Sequence, residues 1–220
     1  MPNLWGILFI LLVVVSCSSA QETHSHPAPE KLGKVSFPTS CAPAVQEQFD
    51  RGVALLHSFA YAAAESAFQG VVDQDPQCAM AHWGLAMTYF HQLWEPPIAP
   101  AKIAISQKEI RHAQQIGAGS ERERQFINAA SLVYQDADTV PYLTRASNYE
   151  GAMSDLAAKN PKDVEVQVFY ALALLSNASP SDRTHAKQKQ AAALLEPLDR
   201  SYPQHSGIPH YLIQIGRAHV

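Results

Sequence analysis

Bulky and small side chains in the first half of this chain return after 34 positions: Phe49 is matched by Trp83, Gly52 by Ala86, Leu55 by Tyr89 and His57 by His91. A fixed period of this length marks repeat architectures, in which one supersecondary unit cannot bury its apolar face alone and must stack on copies of itself. Inside the unit, apolar residues recur at spacings of three and four, in Phe49, Val53, Leu56 and again in Ala64, Phe68, Val71. That is the period of a helix with one buried stripe.

From Ala42 onward β-branched residues are sparse and no run alternates apolar with polar, so no strand is expected. Fifteen prolines against ten glycines, set between Ala-rich stretches, punctuate many short helices. The pattern predicts helices over 43–57, 60–74, 77–93, 101–117, 121–135, 142–159, 163–177 and 184–201, with another starting at 208. The expected fold is all-α, a stack of about four helical hairpins and a truncated fifth over residues 42–213. Sixteen basic against twenty acidic residues give a net charge of −4, without the broad basic face that phosphate neutralisation requires, so nucleic acid is excluded as a partner.

Gly52, Ala64, Phe68 and Pro76 have the mutual offsets of the tetratricopeptide repeat, a 34-residue helix-turn-helix unit, and the chain resembles that family. The resemblance implies that Gly52 lets two helices approach, Ala64 sits at their crossing, Phe68 fills the space between hairpins and Pro76 ends the second helix. It is closest over residues 45–94. Later units are looser: Ala146, Met153, Ala157, Pro161 and then Ala191, Leu195, Pro203 keep parts of the spacing. Leu56-His57-Ser58-Phe59-Ala60-Tyr61, followed by Asp75 to Met87, is similar to a group of exported bacterial tetratricopeptide-repeat proteins, which implies the bacterial envelope and no particular chemistry.

Leu4 to Val15 is an apolar run of twelve residues, too short to span a bilayer and of the length of a signal-peptide core. Two cleavage sites follow: Val14-Val15-Ser16-Cys17 resembles a lipobox, which would acylate Cys17, and Ser18-Ser19-Ala20 is an ordinary small-residue site. Residues 1–20 are therefore expected to be a leader, and 21–41, with Pro27, Pro29 and Pro38, a flexible tether. Loss or lipidation of Cys17 leaves Cys41 and Cys78 as an even pair in an oxidising compartment, predicting a disulfide over two buried thiols. Ile215 to Val220 resembles translated read-through of a sequencing adapter, so 214–220 is expected to be a non-native tail on a longer chain.

If the first helices line a concave surface, as the repeat resemblance implies, its inward candidates are Phe49, Val53, Leu56 and His57 in the first unit and Trp83, Met87, Phe90 and His91 in the second. His57 and His91 hold one repeat position, which admits structural histidines, polar contacts to a bound peptide, or a shared metal ion. There is no HExxH, no G-x-S-x-G elbow and no phosphate-cradling glycine loop; Gly117-Ala118-Gly119-Ser120 reads as a helix stop followed by an N-cap with Glu123 at the capping-box position. Glu109, Glu121, Glu123 and Asp136 read as a solvated face, and Trp94 beside Pro96-Pro97 as a loop-edge aromatic. The expectation is an exported scaffold, membrane-bound only through a lipid anchor, that holds a protein or peptide in its groove without cofactor or catalysis. The alternative is a metal-dependent hydrolase built on the groove histidines or on residues beyond the present end.

Overall fold

The computed structural model describes residues 31–93 and 97–217. Within them the chain is all-helical: after a 3-10 turn at Pro43–Val45 come α1 (Gln46–His57), α2 (Tyr61–Gln74), α3 (Ala79–Met87), α4 (Pro100–Ile116), α5 (Glu121–Tyr134), α6 (Tyr142–Lys159), α7 (Val164–Ser176), α8 (Ala186–Ser201) and α9 (Ile208–Arg217). α1, α3, α5 and α7 each pack most heavily on the even helix that follows, and each hairpin leans on the next element. This is a helical-hairpin repeat. No described helix is long and apolar enough to cross a membrane.

Local chemistry places the boundaries. Ser120 and Glu123 form a reciprocal capping box at α5: Glu123 N–H donates to Ser120 Oγ at 3.2 Å and Ser120 N–H to Glu123 Oε2 at 3.1 Å. Asp163 caps α7 by accepting from Val166 N–H at 3.0 Å. Gly117, at φ +81, takes the left-handed turn that ends α4. The third helix is shorter than the periodicity predicts, stopping at Met87 rather than 93, where Thr88 turns its hydroxyl back onto Leu85 O at 2.7 Å.

The hairpins nest through one aromatic ring. Phe68 of α2 is fully buried between Gly52 of α1 and Gly84 of α3. A Cβ at Gly52 would lie 2.7 Å from that ring and one at Gly84 2.5 Å, inside van der Waals contact. Only glycine admits so close an approach, which gives the repeat spacing its physical meaning. Ala146, Met153 and Ala157 of α6 and Ala191 and Leu195 of α8 are likewise buried.

Residues 31–41, expected to be a tether, differ most from expectation. They run extended across the first helices as a strap, and Phe37 is completely buried. Its ring centroid lies 5.4 Å from Phe49 of α1, 5.5 Å from Trp83 of α3, 5.0 Å from Phe126 of α5 and 6.3 Å from Phe169 of α7. The Arg122 guanidinium sits 4.1 Å from the same ring and pairs with Asp163 at 2.6 Å. Side chains hold the strap's backbone: Phe37 N–H donates to Asp50 Oδ1 at 2.9 Å, Gln46 Nε2 donates to Phe37 O at 2.8 Å, and Ser40 N–H donates to Glu123 Oε1 at 2.5 Å. A disulfide joins Cys41 at the strap's end to Cys78 before α3. Cys17, the leader, the beginning of the tether, Trp94 and the last three residues lie outside the described residues.

Candidate functional site

All eight side chains expected to line an open groove are buried, from Phe49, Val53 and His57 at 0% exposure to Leu56 and His91 at 6%. The inner face is filled by the molecule itself. Phe169 reaches across to within 5.5 Å of Trp83 and 4.7 Å of the His57 ring, and Phe37 packs against Phe49 and Trp83. Val53, Leu56, Met87 and Phe90 belong to the same core. As a peptide-binding surface this set is corrected: packing of the fourth unit and the strap takes every position a ligand would use.

The two repeat-matched histidines take separate partners. His91 stacks on Tyr61 with centroids 3.8 Å apart, and its Nε2 is 2.9 Å from Thr88 O. His57 enters a buried network with residues far along the chain: Nε2 is 2.9 Å from Glu165 Oε2 and Nδ1 is 2.8 Å from the Tyr211 hydroxyl. Glu165's other oxygen is 2.9 Å from His205 Nε2, and His210 Nδ1 is 3.1 Å from His57 O. The network joins α1, the first turn of α7, the turn before α9, and α9.

Protonation in the network follows from its geometry. His205 Nδ1 accepts from Gly207 N–H at 3.0 Å and Ile208 N–H at 3.3 Å, so its Nε2 carries the proton given to Glu165. Burial alone would push the Glu165 carboxyl up, but the hydrogen bonds from His205 and His57 outweigh it and bring the pKa down to about 2. Burial pushes His57 below its ordinary 6.5, against the pull of the Glu165 carboxylate. The Tyr211 hydroxyl is raised well above 10 by burial, so it donates to His57 Nδ1.

His57, Glu165 and His205 have the composition of a metal site, with one ligand atom from each within 4.8 Å of the others. The donor set does not fit one. A metal-ligating imidazole normally donates N–H from its other nitrogen, whereas His205 Nδ1 accepts from two backbone donors. The coordinating lone pair on Nε2 is therefore occupied by a proton. These residues work as a buried electrostatic pin.

In front of the pin opens a cleft of about 1410 Å³ between the strap, α1, the start of α7 and the α8 to α9 turn. Glu165 and His205 form its floor, Leu32, Val35 and Tyr202 give it apolar wall, and Lys34, Glu47, Arg51 and Asp163 surround it with charge of both signs. Glu47 and Arg51 are solvent-facing, and Tyr202 is 47% exposed. None of the cleft was named from the sequence as a binding surface, because the strap that forms one wall has no periodic pattern. Asn177, in a sequon, commits its amide nitrogen to Ala146 O and Ala173 O at 3.1 Å.

No protein-family model matches the chain, and neither curated proteins nor solved structures yield a significant match.

Proposed function

We propose that this protein is an exported, tetratricopeptide-like scaffold that docks an extended segment of another polypeptide, performs no catalysis of its own, and touches the membrane only through a lipid on Cys17 if the lipobox is used. The observation that carries this reading is the cleft. Its volume of about 1410 Å³ holds several residues, one wall is apolar and the rim carries opposed charges, the combination that fixes the register of a peptide. The docking face is thus moved from the inner aromatic row to the strap side of α1. The Cys41–Cys78 disulfide supports an oxidising compartment.

The hydrolase alternative loses support at the pin. Both Glu165 oxygens and both His57 ring nitrogens are engaged with neighbours, and all three residues of the His57, Glu165, His205 set are at most 5% exposed. A general base must reach its substrate's proton at hydrogen-bonding distance.

The test is selection of peptides from a random library on the immobilised chain. Peptides are expected whose affinity falls at least tenfold in Arg51→Glu and Glu47→Lys and is unchanged in Ile105→Ser on α4. Binding indifferent to both cleft changes, or no selected peptide, overturns the proposal.

A further inference from the structure

Away from the cleft, the described residues bring together a second group of metal-ligating side chains, on the first face of the second hairpin. His82 stands in the middle of α3, and Glu109 and His112 lie three residues apart on α4, a spacing that puts both on one helix face. One ligand atom of each lies within 4.8 Å of the other two. His82 Nδ1 is 2.7 Å from Glu109 Oε2, and the His82 and His112 rings meet edge to face with centroids 5.2 Å apart.

Two properties separate this group from the buried pin. The first is access: His112 is exposed and Glu109 half-buried, so an ion can arrive and water can complete its coordination. The second is the donor set. At the pin, backbone N–H groups on His205 Nδ1 hold the proton on the would-be ligand nitrogen; among the described residues the rings of His82 and His112 accept no backbone N–H, so either tautomer is open to them.

We propose that His82, Glu109 and His112 bind one divalent transition-metal ion of the zinc class, with solvent in the remaining position. Two imidazoles and one carboxylate select zinc, nickel or copper over calcium and magnesium, which prefer all-oxygen shells. Bonds of about 2.1 Å place tetrahedral ligand atoms about 3.4 Å apart. The His82–Glu109 pair therefore opens from 2.7 Å, and the pairs with His112, no more than 4.8 Å apart, close by at most about 1.4 Å, a rotation open to the exposed His112 side chain. On binding, His82 takes the tautomer that carries its one proton on Nε2, which frees the Nδ1 lone pair for the ion, and two metal bonds replace the hydrogen bond between Nδ1 and Glu109 Oε2. The ion staples α3 to α4 and keeps one coordination position facing water.

Titration of the chelator-stripped chain with Zn²⁺ by calorimetry, and with Co²⁺ by visible absorption, tests this without reference to peptide docking. One equivalent is expected, with a tetrahedral Co²⁺ spectrum, and affinity at least tenfold weaker in His112→Ala and in Glu109→Gln. Both substitutions lie on the partly or fully exposed side of α4, and unchanged helicity verifies their fold. The double substitution His24→Ala with His26→Ala, at the two histidines in the sequence of the expected tether, should leave the equivalent in place. Absence of a stoichiometric ion at micromolar metal, or an ion that survives both α4 substitutions, overturns the site.

Discussion

Phe37 sets one ring from the strap against the first helix of each of four hairpins. Its ring meets one aromatic from each of α1, α3, α5 and α7, with a guanidinium against it. Truncating a fully buried phenylalanine costs about 3–5 kcal/mol in transfer and cavity terms together. Phe37→Ala should lower stability by that amount in urea unfolding, and Phe37→Leu by clearly less. Glu165 sets a second expectation at this scale. Its folded pKa of about 2, against an ordinary 4.5, means that it stabilises the fold above pH 4.5 and that this contribution is lost as pH falls toward 2. His57, lowered from 6.5, acts earlier: below that pH the unfolded chain takes up a proton that the folded one refuses, so stability declines there too. The melting temperature should therefore fall in two legs on acidification, one below pH 6.5 and one below 4.5. Glu165→Gln should flatten the lower leg and cost about 3 kcal/mol at neutral pH, because it leaves the His57 and His205 donors without their anion.

The strap is the element on which this architecture departs from a plain hairpin stack. Its disulfide closes a segment of 37 residues, a constraint worth about 4 kcal/mol in the loop-entropy account. Cys78→Ala should lose stability of that order, and reduction should speed tryptic cleavage at Lys34, monitored by mass spectrometry, before the helices are cut. The helices themselves were legible, since period and capping act over a few residues: Ser120 with Glu123 was readable as a cap, and the repeat resemblance implied Gly52 as the close approach and Phe68 as the ring between hairpins. The strap was not. Its bonds run from single side chains, Gln46, Asp50 and Glu123, to extended backbone, which leaves no period, and its apolar residues Leu32, Val35 and Phe37 fall at the spacing of neither a helix nor a strand. Phe126 and Phe169 take the places of Phe49 and Trp83 but at 43-residue intervals, so a 34-residue ruler passes over them. Glu165 lies 108 residues from His57, beyond any local signal. Glu109 has the spacing of a solvated face, and only the pairing of α3 with α4 brings it and His112 to His82.

As a whole, the molecule should unfold differently from a simple repeat array. Stacked repeats contact only their neighbours, so their stability is a sum of local terms and ends can fray independently. Here Phe37 couples the first unit to the third and fourth, and the His57, Glu165 and His205 network couples the first helix to the fourth unit and to the turn into α9. Far-ultraviolet circular dichroism and tryptophan fluorescence should report coincident urea transitions in the intact protein and separated ones in Phe37→Ala. The same coupling has a temporal side. A polypeptide is made from its N-terminus, so Phe37 emerges early, yet the pocket that receives it is complete only once Phe169 has followed and α7 has formed. The first of these residues to be synthesised is the last to be seated, and until then a nascent chain carries an unplugged aromatic cavity that a chaperone or a premature partner could occupy.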